Sequence, residues 1–94
     1  MDRRSSELDA PPQFELGQKV RLTRTVRNDG TFIGRGAREV LARKGAVGYV
    51  VGIGTFLQAF YIYSVHFVEL GIVVGCRGHE LESLEPPDDG SVGS

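Results

Sequence analysis

The stretch that decides the fold runs from Ala46 to Arg77 and reads AVGYVVGIGTFLQAFYIYSVHFVELGIVVGCR. Short apolar runs rich in aromatic and β-branched residues alternate in it with breaks that contain glycine, which is typical of small antiparallel strands. Between Ala59 and Val68, successive residues fall on opposite faces of a strand, and we expect one face to line the core. The residues of that face are Tyr61, Tyr63, Val65 and Phe67.

The residues before this stretch predict further strands and turns. Gln18–Val26 alternates between aliphatic and basic residues, which predicts a strand with one wet face. Asn28–Gly30 is a strong turn signal, because Asn, Asp and Gly tolerate positive φ. From 31 to 45 we expect an extended segment that ends in a turn at Lys44–Gly45, although a two-turn helix that includes Arg38–Ala42 is an alternative.

The rest of the chain completes a sheet of about five short strands. Gly48 and Gly52 interrupt a strand and predict a bend or a close approach of backbones. A tight turn at Glu69–Gly71 precedes a short strand at Ile72–Val74, and His79–Leu84 suits a 3₁₀ turn with a closing strand. We therefore predict an all-β fold, a small SH3-like five-stranded barrel with disordered termini.

The length of 94 residues suits one small domain. We place the SH3-like barrel domain at 14–84. Residues 1–13 are polar, end near Pro11-Pro12 and predict a disordered lead, and residues 85–94 predict a disordered acidic tail.

Composition indicates the cellular compartment in which we expect the protein. The single cysteine excludes an internal disulfide and favours a reducing compartment. No apolar run of about 18 residues predicts a membrane span, and the arginines near the N-terminus are not followed by the apolar segment of a secretory signal. We expect a cytoplasmic protein with no membrane partner.

Charge is divided unevenly along the chain. Residues 18–45 hold eight basic and two acidic residues, whereas residues 46–94 hold one arginine and six acidic residues. A basic first half suits an acidic partner. The alternative is that the two halves balance each other across the folded surface.

Catalytic chemistry has little support in the sequence. Cys76, His66 and His79 do not form a recognised nucleophile or metal spacing, and three such residues are too few for a structural zinc site. We predict that the chain is not an enzyme and holds no cofactor or metal. A thiol enzyme at Cys76 is the competing hypothesis, and it requires a reactive thiol of low pKa.

Nucleic-acid binding is the main alternative among binding functions. A basic face with Tyr61 and Tyr63 as stacking platforms is a known arrangement for binding single strands. The sequence pI of about 6.1 opposes it, since nucleic-acid-binding domains usually exceed about 9. We rank nucleic acid as an unlikely partner.

Protein binding fits the composition better. Phe56, Leu57 and Phe60 gather near a predicted loop, and aromatic or aliphatic residues beside arginines are typical of binding hot spots. The alternative is that these residues fold over the end of the barrel as a plug.

Five short segments in order resemble the NifZ nitrogen-fixation proteins. They are RNDGT at 27–31, KGAVGYV at 44–50, GTFLQ at 54–58, IYSVHF at 62–67, and VGCR at 74–77 with Glu80-Leu81. The resemblance extends from about Phe14 to Leu84, which is most of the predicted domain.

This resemblance implies an accessory protein that assists maturation of the nitrogenase molybdenum–iron protein, in particular formation of its P-clusters. It implies the immature molybdenum–iron protein as client and the nitrogenase iron protein as a second partner. We hypothesise that one docking surface contacts the client, and that Cys76 packs inside, with contact to a nascent cluster as the alternative. The docking residues are Arg27, Asn28, Asp29, Phe56, Leu57 and Arg77.

Overall fold

The fold is all-β, as predicted. A computed structural model describes residues 7–30 and 32–85, and no α-helix occurs among them. None of these residues forms a helix that is long and apolar enough to span a membrane. The strands are β1 (Lys19–Leu22), β2 (Val26–Arg27), β3 (Val40–Ala42), β4 (Val47–Phe56), β5 (Phe60–Phe67), β6 (Ile72–Cys76) and β7 (Leu81–Ser83).

The predicted closed barrel is wrong, because the main sheet is open. Its five antiparallel strands follow the order β6-β5-β4-β1-β7, and β2 and β3 form a separate two-stranded sheet. Closure would require the edge strands to meet, but β6 pairs only with β5 and β7 only with β1. An SH3-like barrel depends on that closure, so the structure does not confirm it.

The core lies on the face of β5 that the alternation predicted. Tyr63, Val65 and Phe67 are fully buried, and Val20, Leu22 and Val50 of the neighbouring strands are buried with them. Removing each large apolar side chain from water contributes roughly 1.5–3 kcal/mol. Burial of this one face therefore holds β1, β4 and β5 together.

The segment before β1 is placed against β5, although we expected residues up to Gln13 to be disordered. The Tyr61 hydroxyl donates to the Ala10 carbonyl at 2.7 Å, and the Gln13 N–H donates to the Tyr63 hydroxyl at 2.8 Å. The Phe14 ring meets the Tyr63 ring edge to face at 5.2 Å. A polar composition did not reveal these tertiary partners. The rest of the predicted lead, and the predicted tail after residue 85, lie outside the described residues.

The segment predicted to be extended from 31 to 45 is extended only in part, because its described residues before Glu39 form turns and bends. Val40–Ala42 forms β3, so the alternative helix over this segment is wrong. The predicted strand at Gln18–Val26 is instead two strands, β1 and β2, separated by residues 23–25. The predicted 3₁₀ turn and closing strand near the C-terminal end are confirmed as a turn at Gly78–Glu80 and β7.

The predicted bend at the β4 glycines is confirmed. The register between β4 and β5 shifts between Val50 and Gly52, which marks a β-bulge. At Gly48 the backbones come close, since an added Cβ would lie 2.7 Å from both the His66 carbonyl oxygen and Val65 Cγ1. Only glycine allows β5 to approach β4 this closely.

We expect Gly48→Ala to destabilise the fold by about 1–3 kcal/mol, because the added methyl group overpacks a rigid contact with backbone. Gly54→Ala is the matched control on the same strand, since nothing lies within 4 Å of its added Cβ. Urea denaturation of both variants provides the measurement. Equal loss of stability in the two variants would contradict the close approach at Gly48.

Candidate functional site

The tip of the β4–β5 hairpin projects beyond the neighbouring strands. Phe56 pairs with Phe60 at its end, whereas the last β6 pair is Cys76 with Tyr63 and the last β1 pair is Lys19 with Tyr49. Among residues 7–30 and 32–85, no strand therefore flanks the end of the hairpin, and on the β5 side the segment before β1 lies against Tyr61. Such a projection is accessible to a partner.

The turn at the tip is strained. Leu57 and Gln58 have φ of 55° and 54°, and the Ala59 N–H donates to the Phe56 carbonyl at 3.0 Å. This is the form of a type I′ turn, which strongly prefers Asn-Gly. A non-glycine residue held in this region costs roughly 1–3 kcal/mol. Leu57 is nevertheless present, and 76% of its surface is exposed.

An aromatic and cationic cluster supports the tip. The Phe56 and Phe60 ring centroids are 5.6 Å apart, and the Arg77 guanidinium lies 3.5 Å from the Phe60 centroid. Arg77 Nη2 is 3.6 Å from Glu7 Oε1. The Arg77 Nε is buried and has no hydrogen-bond partner among the described residues. We define Phe56, Leu57, Phe60 and Arg77 as the tip surface.

The alternative that these apolar residues form a plug does not hold for Phe56 and Leu57, because both are exposed. Phe60 is half-buried beneath Arg77. The structure thus brings together three of the predicted docking residues, Phe56, Leu57 and Arg77.

The other three predicted docking residues lie at the end of β2, in the case of Arg27, and at the start of the loop that joins β2 to β3, in the case of Asn28 and Asp29. Asn28 is buried, and its Nδ2 donates to the carbonyls of Phe32, Arg35 and Gly36 at 2.9–3.2 Å. Its Oδ1 accepts from the N–H groups of Gly30 and Phe32 at 2.9 and 3.0 Å. Asn28 therefore shapes the loop and has no polar atom left for a partner.

Arg27 and Asp29, which flank Asn28, are exposed. Arg27 Nη1 donates to the Arg38 carbonyl at 2.9 Å, and Arg38 itself has a φ of 66°. The loop thus presents charged side chains on a strained but well-bonded backbone.

The loop group and the tip surface lie near opposite ends of β4. Arg35 of the loop and Val47 at the start of β4 line the same groove, whereas Phe56 is the last residue of β4. The strand has 10 residues, or up to about 30 Å when extended. The six predicted docking residues consequently divide into two groups and do not form one surface.

Sequence reasoning missed a surface groove beside the loop, with a cavity volume of about 390 Å³. The basic residues Arg35, Arg43 and Lys44 line it together with the apolar residues Leu41 and Leu70. Most of its lining residues lie between Arg35 and Val47, but Glu69 and Leu70 complete it from the turn before β6, and a local pattern does not show that these two segments meet.

The Cys76 thiol is buried and free. Burial, and to a smaller degree the Glu80 carboxylate, raise its pKa to about 12. A thiol with this pKa is almost entirely protonated at neutral pH and is a poor nucleophile. This environment is the opposite of what the hypothesis of a thiol enzyme requires.

The two tyrosines proposed as stacking platforms for nucleic acid are engaged within the fold. Tyr63 is fully buried, and Tyr61 is half-buried with its hydroxyl bound to the backbone. The Tyr63 ring therefore offers no free face to a base. Within residues 7–30 and 32–85, no group of three His, Cys, Asp or Glu side chains is arranged to hold a metal ion.

Comparison with known proteins agrees with the resemblance of the five segments. A family model described as the NifZ domain matches residues 11–83. The chain is 51% identical over 78 residues to a putative NifZ protein of Sinorhizobium fredii, which covers 83% of this chain and 72% of that protein. It is 54% identical over 76 residues to a NifZ protein of Azotobacter vinelandii and 41% identical over 76 residues to one of Klebsiella pneumoniae.

These last two alignments cover 81% of this chain but only 48% and 51% of the relatives. The chain thus spans about half the length of these two proteins. No solved structure matches the chain.

We expect Asn28→Ala to reduce the free energy of unfolding by about 1–3 kcal/mol, because it leaves partly buried backbone groups without partners. Hydrogen exchange should quicken at the amides of Gly30 and Phe32. Ile33→Ala is the control in the same loop, since Ile33 is 93% exposed. An unchanged urea midpoint for Asn28→Ala would show that the five hydrogen bonds do not support the loop.

The raised pKa of Cys76 predicts a pH-dependent contribution to stability. Between the ordinary thiol pKa of about 9 and the folded value of about 12, the unfolded chain ionises but the folded chain does not, so stability falls as pH rises. Relative to Cys76→Ala, wild type should lose about 1.4 kcal/mol between pH 7.5 and pH 10. Urea denaturation at both pH values measures this difference, and a constant difference would contradict the assignment.

Proposed function

We propose, since this chain belongs to the NifZ family of nitrogen-fixation accessory proteins, that it assists maturation of the nitrogenase molybdenum–iron protein by binding the immature form. The step assisted is formation of the P-clusters. In this proposal the nitrogenase iron protein is a second partner that acts at the same stage.

Binding, and not chemistry at the chain's own residues, is the favoured mode of action. Iron–sulfur clusters are usually held by four cysteine thiolates, and this chain has one cysteine, which is buried and protonated at neutral pH. The proposal therefore includes that the chain is not an enzyme. A binding protein promotes maturation when it binds one conformation of its client more tightly than the other, since that differential affinity shifts the population.

The strained, exposed tip is the observation that carries the proposal. Leu57 combines an unfavourable backbone conformation with an apolar side chain that is 76% exposed. Both features oppose folding stability and solubility of the isolated chain. Strain of this kind accumulates at functional sites, where a partner makes use of it. We therefore assign the client contact to the tip surface.

The composition of the tip surface supports this assignment. Aromatic residues and arginine are enriched among the residues that dominate protein interfaces. The Arg77 guanidinium is held over Phe60 and near Glu7, so little side-chain freedom is lost when a partner covers it. The exposed Phe56 and Leu57 lie beside this ordered base.

We expect Leu57→Asn to stabilise the fold by about 1 kcal/mol, because Asn tolerates the left-handed conformation. The same change should weaken binding of the immature molybdenum–iron protein by about tenfold, since an apolar contact is lost. Biolayer interferometry with the immobilised chain measures affinity, and urea denaturation measures stability. A gain in stability and a loss of affinity in one variant separate the two roles.

Gln58→Gly is the matched control, because Gln58 has the same strained conformation in the same turn. It should stabilise the hairpin similarly and leave client affinity unchanged, since the Leu57 side chain remains. Unaltered binding by the Leu57→Asn variant would reject the tip surface as the client contact. The single variant Arg27→Ala tests whether the end of β2 beside the β2–β3 loop contributes separately to client affinity.

A further inference from the structure

The two edge strands of the main sheet, β7 and β6, differ in how well they are protected against pairing with another chain. β7 has three residues, and its Glu82 is ion-paired with Arg21 of β1. Short, charged edge strands resist pairing with other chains. β6 has five residues, Ile72–Cys76, with neither a charge nor a proline among them. In the part of the chain that the structure describes, only β5 lies beside it.

Beyond the end of β6, the segment before β1 covers the edge of β5. Among the described residues, no strand pairs with the outer edge of β6. The Tyr61 N–H, which lies beyond the last β6 pair, donates to the Glu7 carboxylate at 3.0 Å. On β6, Val73 is 49% exposed, and Val68 and Leu70 in the preceding turn are exposed to a similar degree. An exposed apolar edge strand of this length is a template for a further strand.

Charge around β6 points to an identical strand in the antiparallel direction. Glu69 lies in the turn before β6, and Arg77 follows it directly. An antiparallel pair of β6 strands centred on Val74 places the Glu69 turn of each copy beside the Arg77 end of the other. A parallel pair would instead place Glu69 beside Glu69.

The side chains also suit this two-fold arrangement. Centred on Val74, the pair sets Val73 of one copy opposite Gly75 of the other, where the glycine leaves room for the exposed valine. Backbone N–H and C=O groups on the outer side of β6 obtain partners on both copies, as in any antiparallel ladder. The contact is isologous, so it closes at two copies.

We propose that β6 is a self-association edge through which two copies of this chain form a continuous ten-stranded sheet. The contact is small, and interfaces of this size are weak, so we expect a dissociation constant on the order of 1–100 μM. This inference concerns the side of the sheet, and Arg77, which follows β6 and lies over Phe60, is the one residue that it shares with the tip surface.

Sedimentation velocity across that concentration range tests the proposal. Wild type should change from monomer to dimer, and Val73→Lys should remain monomeric, because the two introduced charges would lie diagonally across the pair on the same face. Val51→Lys is the matched control. Val51 is 52% exposed, but it lies on β4, which is a central strand and not an edge strand. This control should dimerise like wild type.

Hydrogen exchange supplies a second readout that does not depend on a variant. Amides of Ile72–Cys76 that point away from β5 should exchange more slowly at high concentration. A wild-type chain that stays monomeric at about ten times the expected range, or a dimer that survives Val73→Lys, overturns the proposal. Protection of β6 only when the molybdenum–iron protein is added would assign the edge to a client strand and would also overturn it.

Discussion

The pairing of β4 with β5 is the interaction on which the other elements depend. It is the longest ladder in the described residues, and each of its strands holds a further strand on its outer side, β1 on β4 and β6 on β5. The close approach at Gly48 and the bulge between Val50 and Gly52 bend this ladder. Because the ladder extends past both flanking strands, its turn projects beyond them, with the segment before β1 against its β5 side.

The segment before β1 links the core to this projection. Tyr63 is buried in the core, yet its hydroxyl accepts the Gln13 N–H, and Tyr61 binds the Ala10 carbonyl. Farther along the same segment, Glu7 lies near Arg77, which covers Phe60. Tyr61 and Tyr63 hold this segment in place, and the segment in turn places Glu7 near Arg77 at the base of the tip surface. The fold itself therefore preorganises the tip.

The two proposed contacts occupy different parts of the sheet. The tip surface lies at the end of the β4–β5 hairpin, whereas the β6 edge runs along the side of the sheet. Both carry features that reduce stability or solubility of an isolated monomer, namely backbone strain at Leu57 and an uncharged open edge at Ile72–Cys76.

The sequence by itself determined the all-β class, the buried face of β5 and the irregularity at the β4 glycines, because alternation, β-branched residues and glycine act over a few residues. It also marked Phe56 and Leu57 as exposed apolar residues near a turn. Only the tertiary structure decided that the sheet stays open, that Asn28 is an internal loop support, and that Arg77 lies over Phe60. These outcomes depend on which distant segments meet, and local patterns do not encode that choice.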